Sequence, residues 1–164
     1  MNITIRPVKQ EDAAALHTIR TLPGVRENVY GIPSQKLADS EAFISSLSAN
    51  DHLMVAEVDG VVVGCAGLHV SNNPRTRHTA QLGIMVHTDY QGKGIGRELM
   101  ESLIDIADNY LKMVRIELGV MADNEHAVHL YKSCGFVVEG TKKYAAIRDG
   151  QYHDMLLMAR YSLI

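Results

Sequence analysis

The chain predicts a mixed α/β sheet with helices on both faces. Three observations carry this. Apolar runs suited to strands interleave with segments whose apolar residues recur every three or four positions. A glycine-rich stretch, Gln91-Gly92-Lys93-Gly94-Ile95-Gly96-Arg97, joins the strand-like Leu82–Val86 to a helix-like segment. No repeat, low-complexity tract or linker divides the 164 residues, so 1–164 reads as one domain with a substantial core.

Asn2 to Pro7 reads as a short strand. Glu11 to Thr21 reads as a helix with Ala15, Leu16 and Ile19 on one face, ended by Leu22-Pro23-Gly24. Val25 to Pro33 is irregular and contains Tyr30; Lys36 to Leu47 is a weak helix. A long connection beside short helices shapes a substrate pocket or forms a plain surface lid, and both readings stand. His52–Val58 and Val61–Val70 form a hairpin at Asp59-Gly60, a dipeptide suited to tight strand turns. After the loop Asn72–Arg75, Thr79–Val86 is the next strand. The glycine turn and a helix follow, with Leu99, Met100, Leu103, Ile104, Ala107 and Leu111 in register, ending near Tyr110. Val114–Val120 is a strand and Glu125–Ser133 a short helix. Val137-Val138 and Tyr152–Arg160 are final strands, separated by a loop that contains Arg148-Asp149-Gly150. This order suits a sheet covered on both sides.

Composition is that of a soluble globular protein. A net charge of -3 gives no reason to expect nucleic acid as a partner. The N-terminus shows no secretory pattern, and the longest near-apolar run, Val61–Val70, is too short to cross a bilayer. Cys65 and Cys134 lack metal-ligand spacing, so no metal site is expected. Reduced thiols point to the cytoplasm.

The glycine turn is the first chemical signal. Glycines adopt positive φ and bring backbone N–H groups close to a ligand. The helix start adds unpaired N–H groups and the positive end of its dipole. Together they suit phosphate or pyrophosphate, with charge from Lys93 and Arg97. A Walker loop is excluded, because Arg97 and Glu98 follow Gly96 where Lys and Ser or Thr are required. A dinucleotide fingerprint is disfavoured, because its third small residue would fall at Leu99. A solvated turn is the plain alternative.

The second signal is Asn124, Ala127, Tyr131, Gly135 and Phe136. Asn124, Ala127 and Tyr131 fall along one helix face. Asn124 suits a helix N-cap and Gly135 a left-handed close. Taken alone, this also describes a capped amphipathic helix whose Tyr packs in the core.

The two motifs together, Gln-x-x-Gly-x-Gly at Gln91–Gly96 and Asn-x-x-Ala-x-x-x-Tyr-x-x-x-Gly-Phe at Asn124–Phe136, resemble the GNAT N-acetyltransferase superfamily. The resemblance covers nearly the whole chain, including the order of elements. It implies a mostly antiparallel central sheet with one splayed parallel strand pair. It implies acetyl-CoA as donor and a primary amine as acceptor. By position, Ile84, Met85 and Val86 would bond the pantetheine arm through their backbone. Gln91, Gly92, Lys93, Gly94, Ile95, Gly96 and Arg97 would hold the pyrophosphate. Asn124 and Ala127 would lie against the pantetheine, and Tyr131 near the thioester sulfur. The sequence also looks like bacterial enzymes that acetylate free amino acids or other small amines, largely through the end segment that runs from Glu139–Tyr144 through Met158–Arg160. Edge strands near the C-terminus would serve a homodimer by the same analogy. Acceptors on a protein N-terminus or lysine, or a non-catalytic CoA sensor, are the rivals.

Tyr131, with a reference pKa near 10, is a protonated donor for departing sulfur at neutral pH. The base is less plain. Many relatives carry Glu at the position of Gln81, and an amide cannot take the proton. Glu117, on the adjacent strand, is the expected substitute, with an ion pair to Arg115 as its competing role. His69, His78 and His87 are further candidates by residue type, with structural or surface roles as their plain alternative. An α-amine of pKa about 8 is roughly a tenth neutral at pH 7, far more than a lysine amine, which leans towards α-amino acceptors.

Overall fold

The computed structural model describes residues 1–163. One seven-stranded sheet runs through it, in the order β1-β2-β3-β4-β5-β7-β6. The strands are β1 (Ile3–Pro7), β2 (Asp51–Val58), β3 (Val61–Val70), β4 (Thr79–Val86), β5 (Arg115–Met121), β6 (Val137–Arg148) and β7 (Gln151–Tyr161). All neighbours are antiparallel except β4 and β5. The mixed, mostly antiparallel sheet is therefore present as expected.

Helices α1 (Ala13–Thr21) and α2 (Leu37–Ser45) cover one face. There Leu16, Ile19 and Ile44 pack on Val55 and Cys65. Helices α3 (Ile95–Asp105) and α4 (Glu125–Ser133) cover the other. Ile95, Leu99, Met100 and Leu103 of α3 are fully enclosed there, against Ala66, Leu68 and Ile116. The 3–4 spacing of those four residues puts them on one stripe, which is why the segment is helical and why it docks. The helix widens to i→i+5 bonding over Ile106–Leu111 and stops at Lys112, which takes a left-handed φ of 54°. Arg160 on β7 then grips Asp108 with two bonds of 2.9 and 2.8 Å.

One expectation needs correction. The loop expected between Val138 and Tyr152 is mostly strand. β6 runs through to Arg148 and pairs with β7 around a turn at Asp149-Gly150, both at positive φ. Register shifts after Val138 and Lys142 break the alternation of buried and exposed residues, which hides the strand from a periodicity test.

The parallel pair decides where a site forms. Only Thr79–Gln81 of β4 align with Arg115–Glu117 of β5. Beyond that, β4 stays bonded to β3 as far as Val86, and β5 to β7 as far as Met121. The two strands diverge, and their facing edges open a gap in the middle of the sheet.

Candidate active site

The gap leads into a cleft of about 1020 Å³. Ile84, Met85 and Val86 line it from β4, and Gln91, Gly92 and Gly96 from the turn. Asn124, Ala127 and Tyr131 line it from α4. The two sequence signals, about thirty residues apart along the chain, are thus brought to one wall. Lys93, Gly94, Ile95 and Arg97 belong to the same turn but are not part of the cleft lining.

Each turn residue has its own local reason. Gly92 and Gly94 sit at φ 74° and 85°, and a Cβ on either would point into open space. The requirement at these two is conformational. Gly96 differs: its backbone is helical, and a Cβ there would meet Leu130 Cδ2 at 3.1 Å. The positive φ expected of the alternating glycines thus stops at Gly94, and Gly96 lets α3 and α4 approach. Ile95 is buried and anchors the turn to the core. Gln91 donates through its side chain to Val86 O at 3.0 Å, tying the turn to the end of β4. Lys93 lies 5.3 Å from the centre of the Tyr90 ring. Arg97 donates to Ser133 Oγ at 2.7 Å, so its guanidinium bridges α3 to α4.

These residues fit a pyrophosphate-bearing thioester. Glu98 N–H is the first to bond back in α3, to Gly94 O at 3.1 Å. The N–H groups of Ile95, Gly96 and Arg97 precede any intrahelical bond and form a natural anion cradle. The unpaired edge of β4 offers main-chain donors and acceptors to an extended arm, and the diverging strands give that arm its width.

On α4, Asn124 Oδ1 caps the helix by accepting from Ala127 N at 3.3 Å, which leaves its amide hydrogens for a ligand. Tyr131 is buried, with its ring 6.0 Å from Phe136. Burial pushes its phenol above the ordinary value, with a smaller contribution from Cys134, so it stays protonated across the physiological range. Among the described residues its hydroxyl makes no hydrogen bond. Yet among the described residues no buried side-chain polar atom is left without a partner. The hydroxyl therefore reaches the open cleft.

The opposite wall comes from α1, α2 and the connection between them, including Val25, Asn28, Tyr30 and Phe43. Tyr30 spans the mouth, its hydroxyl 3.5 Å from Met155 Sδ on β7. The irregular segment read as pocket or lid is thus a wall of the cleft. Arg20 also lines it. Its Nη2 donates to Val29 O at 3.0 Å, and among the described residues no carboxylate pairs with it. Cys65 lies in the floor, where burial pushes its thiol up to about 12, opposed weakly by Arg20.

Glu117 stands outside the cleft lining. Its Oε2 accepts from Arg115 Nε at 2.9 Å, and Arg115 also holds Glu139 at 2.9 Å. The expectation that it reaches the acceptor is not met in this geometry; the competing ion pair is the one that forms. Sequence reasoning passed over a different feature. Asp51 Oδ1 lies 2.6 Å from His69 Nδ1, while its Oδ2 accepts from Ser48 N at 2.8 Å. Those bonds, led by the Ser48 N–H, hold the Asp51 carboxyl below the usual range. Both residues line the cleft. Eighteen positions separate them, so only the register of β2 on β3 reveals the pair.

Among the described residues, no helix is long and apolar enough to cross a membrane.

Comparison with known proteins agrees with this geometry. The Acetyltransferase (GNAT) family model matches residues 22–136. The chain is 36% identical over 165 residues to the L-amino acid N-acetyltransferase AaaT of Escherichia coli, covering 96% of this chain and 97% of that one. It is 36% identical over 107 residues to the L-amino acid N-acyltransferase MnaT of the same organism, covering 65% and 62% of the two chains. A GNAT-family acetyltransferase from Streptococcus pneumoniae superposes with a TM-score of 0.81 at 28% identity, covering 98% and 100%. The splayed strand pair, the glycine turn beside it and these likenesses agree: the chain belongs to the GNAT acetyltransferase family.

Proposed function

We propose that this acetyltransferase moves the acetyl group of acetyl-CoA to the α-amine of a free amino acid. When bound, acetyl-CoA supplies an acyl group activated on sulfur. The turn from Gln91 to Arg97 holds its pyrophosphate through backbone N–H groups. The free edge of Ile84–Val86 takes the arm, and Asn124 and Ala127 border it. Holding amine and thioester in one cleft contributes much of the acceleration. A main-chain N–H of the splayed strand stabilises the developing oxyanion. Tyr131 gives its phenolic proton to the leaving sulfur.

The observation that carries the acceptor assignment is Arg20. An arginine without a carboxylate partner, set in a cleft walled by α1 and α2, is the group a substrate carboxylate needs. The enclosing wall favours a small molecule over a protein chain. The likeness to the two amino-acid enzymes supports the same reading.

A thiol-release assay tests it. The panel sets amino acids beside their decarboxylated amines, a polyamine, and a peptide with a free N-terminus. Amino acids are expected to be turned over fastest. Arg20→Gln is expected to raise KM for them while leaving the decarboxylated amines unchanged. Preference for the polyamine or the peptide rules against the assignment, and so does an Arg20→Gln protein with unaltered KM.

A further inference from the structure

We infer that His69, oriented by Asp51, is the general base that takes the acceptor's proton. This rests on the acetyl-transfer reading above.

The sheet register sets the argument. Asp51 on β2 aligns with His69 on β3, His69 with Gln81 on β4, and Gln81 with Glu117 on β5. Aligned residues in a sheet put their side chains on the same face. One polar row therefore crosses four strands on the α1–α2 side. At Gln81 the row holds an amide, which accepts no proton as a base. At Glu117 it holds a carboxylate committed to Arg115. At His69 it holds the free base of the row that lines the cleft.

The next row on that face is Leu53, Gly67 and Gly83. Two of its three members have no side chain, and a Cβ on Gly83 would meet nothing within 4 Å. Over Gly67 the Leu53 side chain fills the space, with its Cδ1 3.1 Å from where a Cβ would sit, so the open part of the row lies over Gly83, beside Gln81 and towards the diverging part of β4.

Asp51 defines the tautomer. An ionised carboxylate only accepts, so a 2.6 Å contact places the proton on His69 Nδ1. The Nε2 lone pair is then free. Both Asp51 oxygens are occupied, one by His69 and one by Ser48, so the carboxylate cannot swing away without losing its own bonds. Asp51 is a positioning residue and His69 the catalytic one. The His69 side chain is 54% exposed, which gives the proton an exit to solvent.

The surrounding charges are few. Asp51 is the charged contact on β2, with His52 next to it in sequence. On β4 the neighbour is neutral Gln81; beyond it stands Glu117, paired with Arg115. From α2, Asp39 lines the same cleft and accepts from Lys36 N at 2.9 Å, and from α1 Arg20 lines it.

The step balances. The substrate ammonium gives one proton to His69 Nε2, and the freed nitrogen pair forms the C–N bond. The C–S bond breaks with a proton from Tyr131, and the nitrogen's second proton restores Tyr131. His69 releases its proton to water. An ammonium and a thioester become an amide, a thiol and one proton.

The test uses His69→Gln, His69→Ala and Asp51→Asn in the full chain, with CoA affinity by calorimetry and folding by circular dichroism. The pH dependence of kcat/KM is read with the amino acid that wild type turns over fastest. His69→Gln is expected to lose about 10²–10⁴-fold. It should also flatten the acid limb of the profile, with CoA affinity unchanged. Added imidazole is expected to restore part of the rate to His69→Ala. Asp51→Asn is expected to lose less and to shift that limb. Independently of turnover, nitrogen NMR of the imidazole is expected to show the Nδ1–H tautomer in wild type. An Nε2–H tautomer overturns the proposal, as does a His69→Gln profile parallel to wild type. Lack of wild-type turnover on every panel amine overturns the acetyl-transfer reading and this proposal with it. Wild-type turnover with an unaffected His69→Gln overturns this proposal alone.

Discussion

Tyr131 shows what one side chain can carry in two roles. Its ring belongs to the core beside Phe136, and its hydroxyl opens to the cleft. Tyr131→Phe keeps the first role and removes the second. It is expected to lower kcat by about 10²–10⁴-fold with an unchanged melting temperature, measured where chemistry limits turnover. An unchanged kcat would return Tyr131 to packing alone. Its place on the cleft wall was legible because Asn124, Ala127 and Tyr131 lie close in sequence and share helical spacing. The ion pairing of Glu117 was harder to read for the opposite reason. Its partner Arg115 is two positions away, but the charge that fixes Arg115, Glu139, arrives from β6. Only the strand order β5-β7-β6 brings that carboxylate within reach. The Asp51–His69 pair was invisible for the same cause.

The glycine turn separates two physical requirements at the level of the element. Gly94→Val forces a β-branched residue into a left-handed φ of 85°, and the turn must rearrange. A large loss of CoA affinity by calorimetry is expected, on a protein that still folds. Gly96→Val meets no such strain but presses on Leu130, so overpacking is expected to cost about 1–3 kcal/mol in denaturant melts. Equal affinity losses from both, with equal stability, would contradict this division. The helices α1, α3 and α4 were legible because each keeps one periodicity and a recognisable stop, and the hairpin β2–β3 because Asp59-Gly60 marks its turn, although a register shift interrupts it between Ala56 and Glu57. β6 was not, since two register shifts interrupt its alternation and leave Tyr144 at a φ of 51°. The opening between β4 and β5 has no local signal at all. It came into view at first only through the resemblance of the two motifs to a family.

At the scale of the whole molecule, acid stability draws in part on a part-buried ion pair at the sheet's edge. Arg6 on β1 donates twice to Asp12, each bond 2.8 Å, and Asp12 also accepts from Lys9 N at 2.7 Å. Arg6 therefore holds the buried Asp12 carboxyl below its usual value. A depressed folded value stabilises above the ordinary carboxylate pKa and is lost as pH falls through the folded one. Stability is expected to fall below about pH 4. Asp12→Ala leaves Arg6 bonded to Glu57 at 2.7 Å, so it is expected to cost about 1.5–3 kcal/mol at neutral pH and to lessen that acid limb, as read by denaturant titration across pH. An equally steep limb in the variant would assign acid sensitivity elsewhere. The three-residue pairing of β4 with β5 has a mechanical consequence. The sheet is two plates, β1–β4 and β5–β7–β6, sharing a hinge of three rungs. A ligand laid along the gap supplies the rungs that the chain omits. At a hundredfold excess over Kd, CoA is expected to add about 2.7 kcal/mol to stability. Amide exchange should slow most at Leu82–Val86, more than in the closed β2–β3 hairpin. The mouth that admits the substrate is also the seam along which the sheet would part, and the substrate is the stitch that closes it.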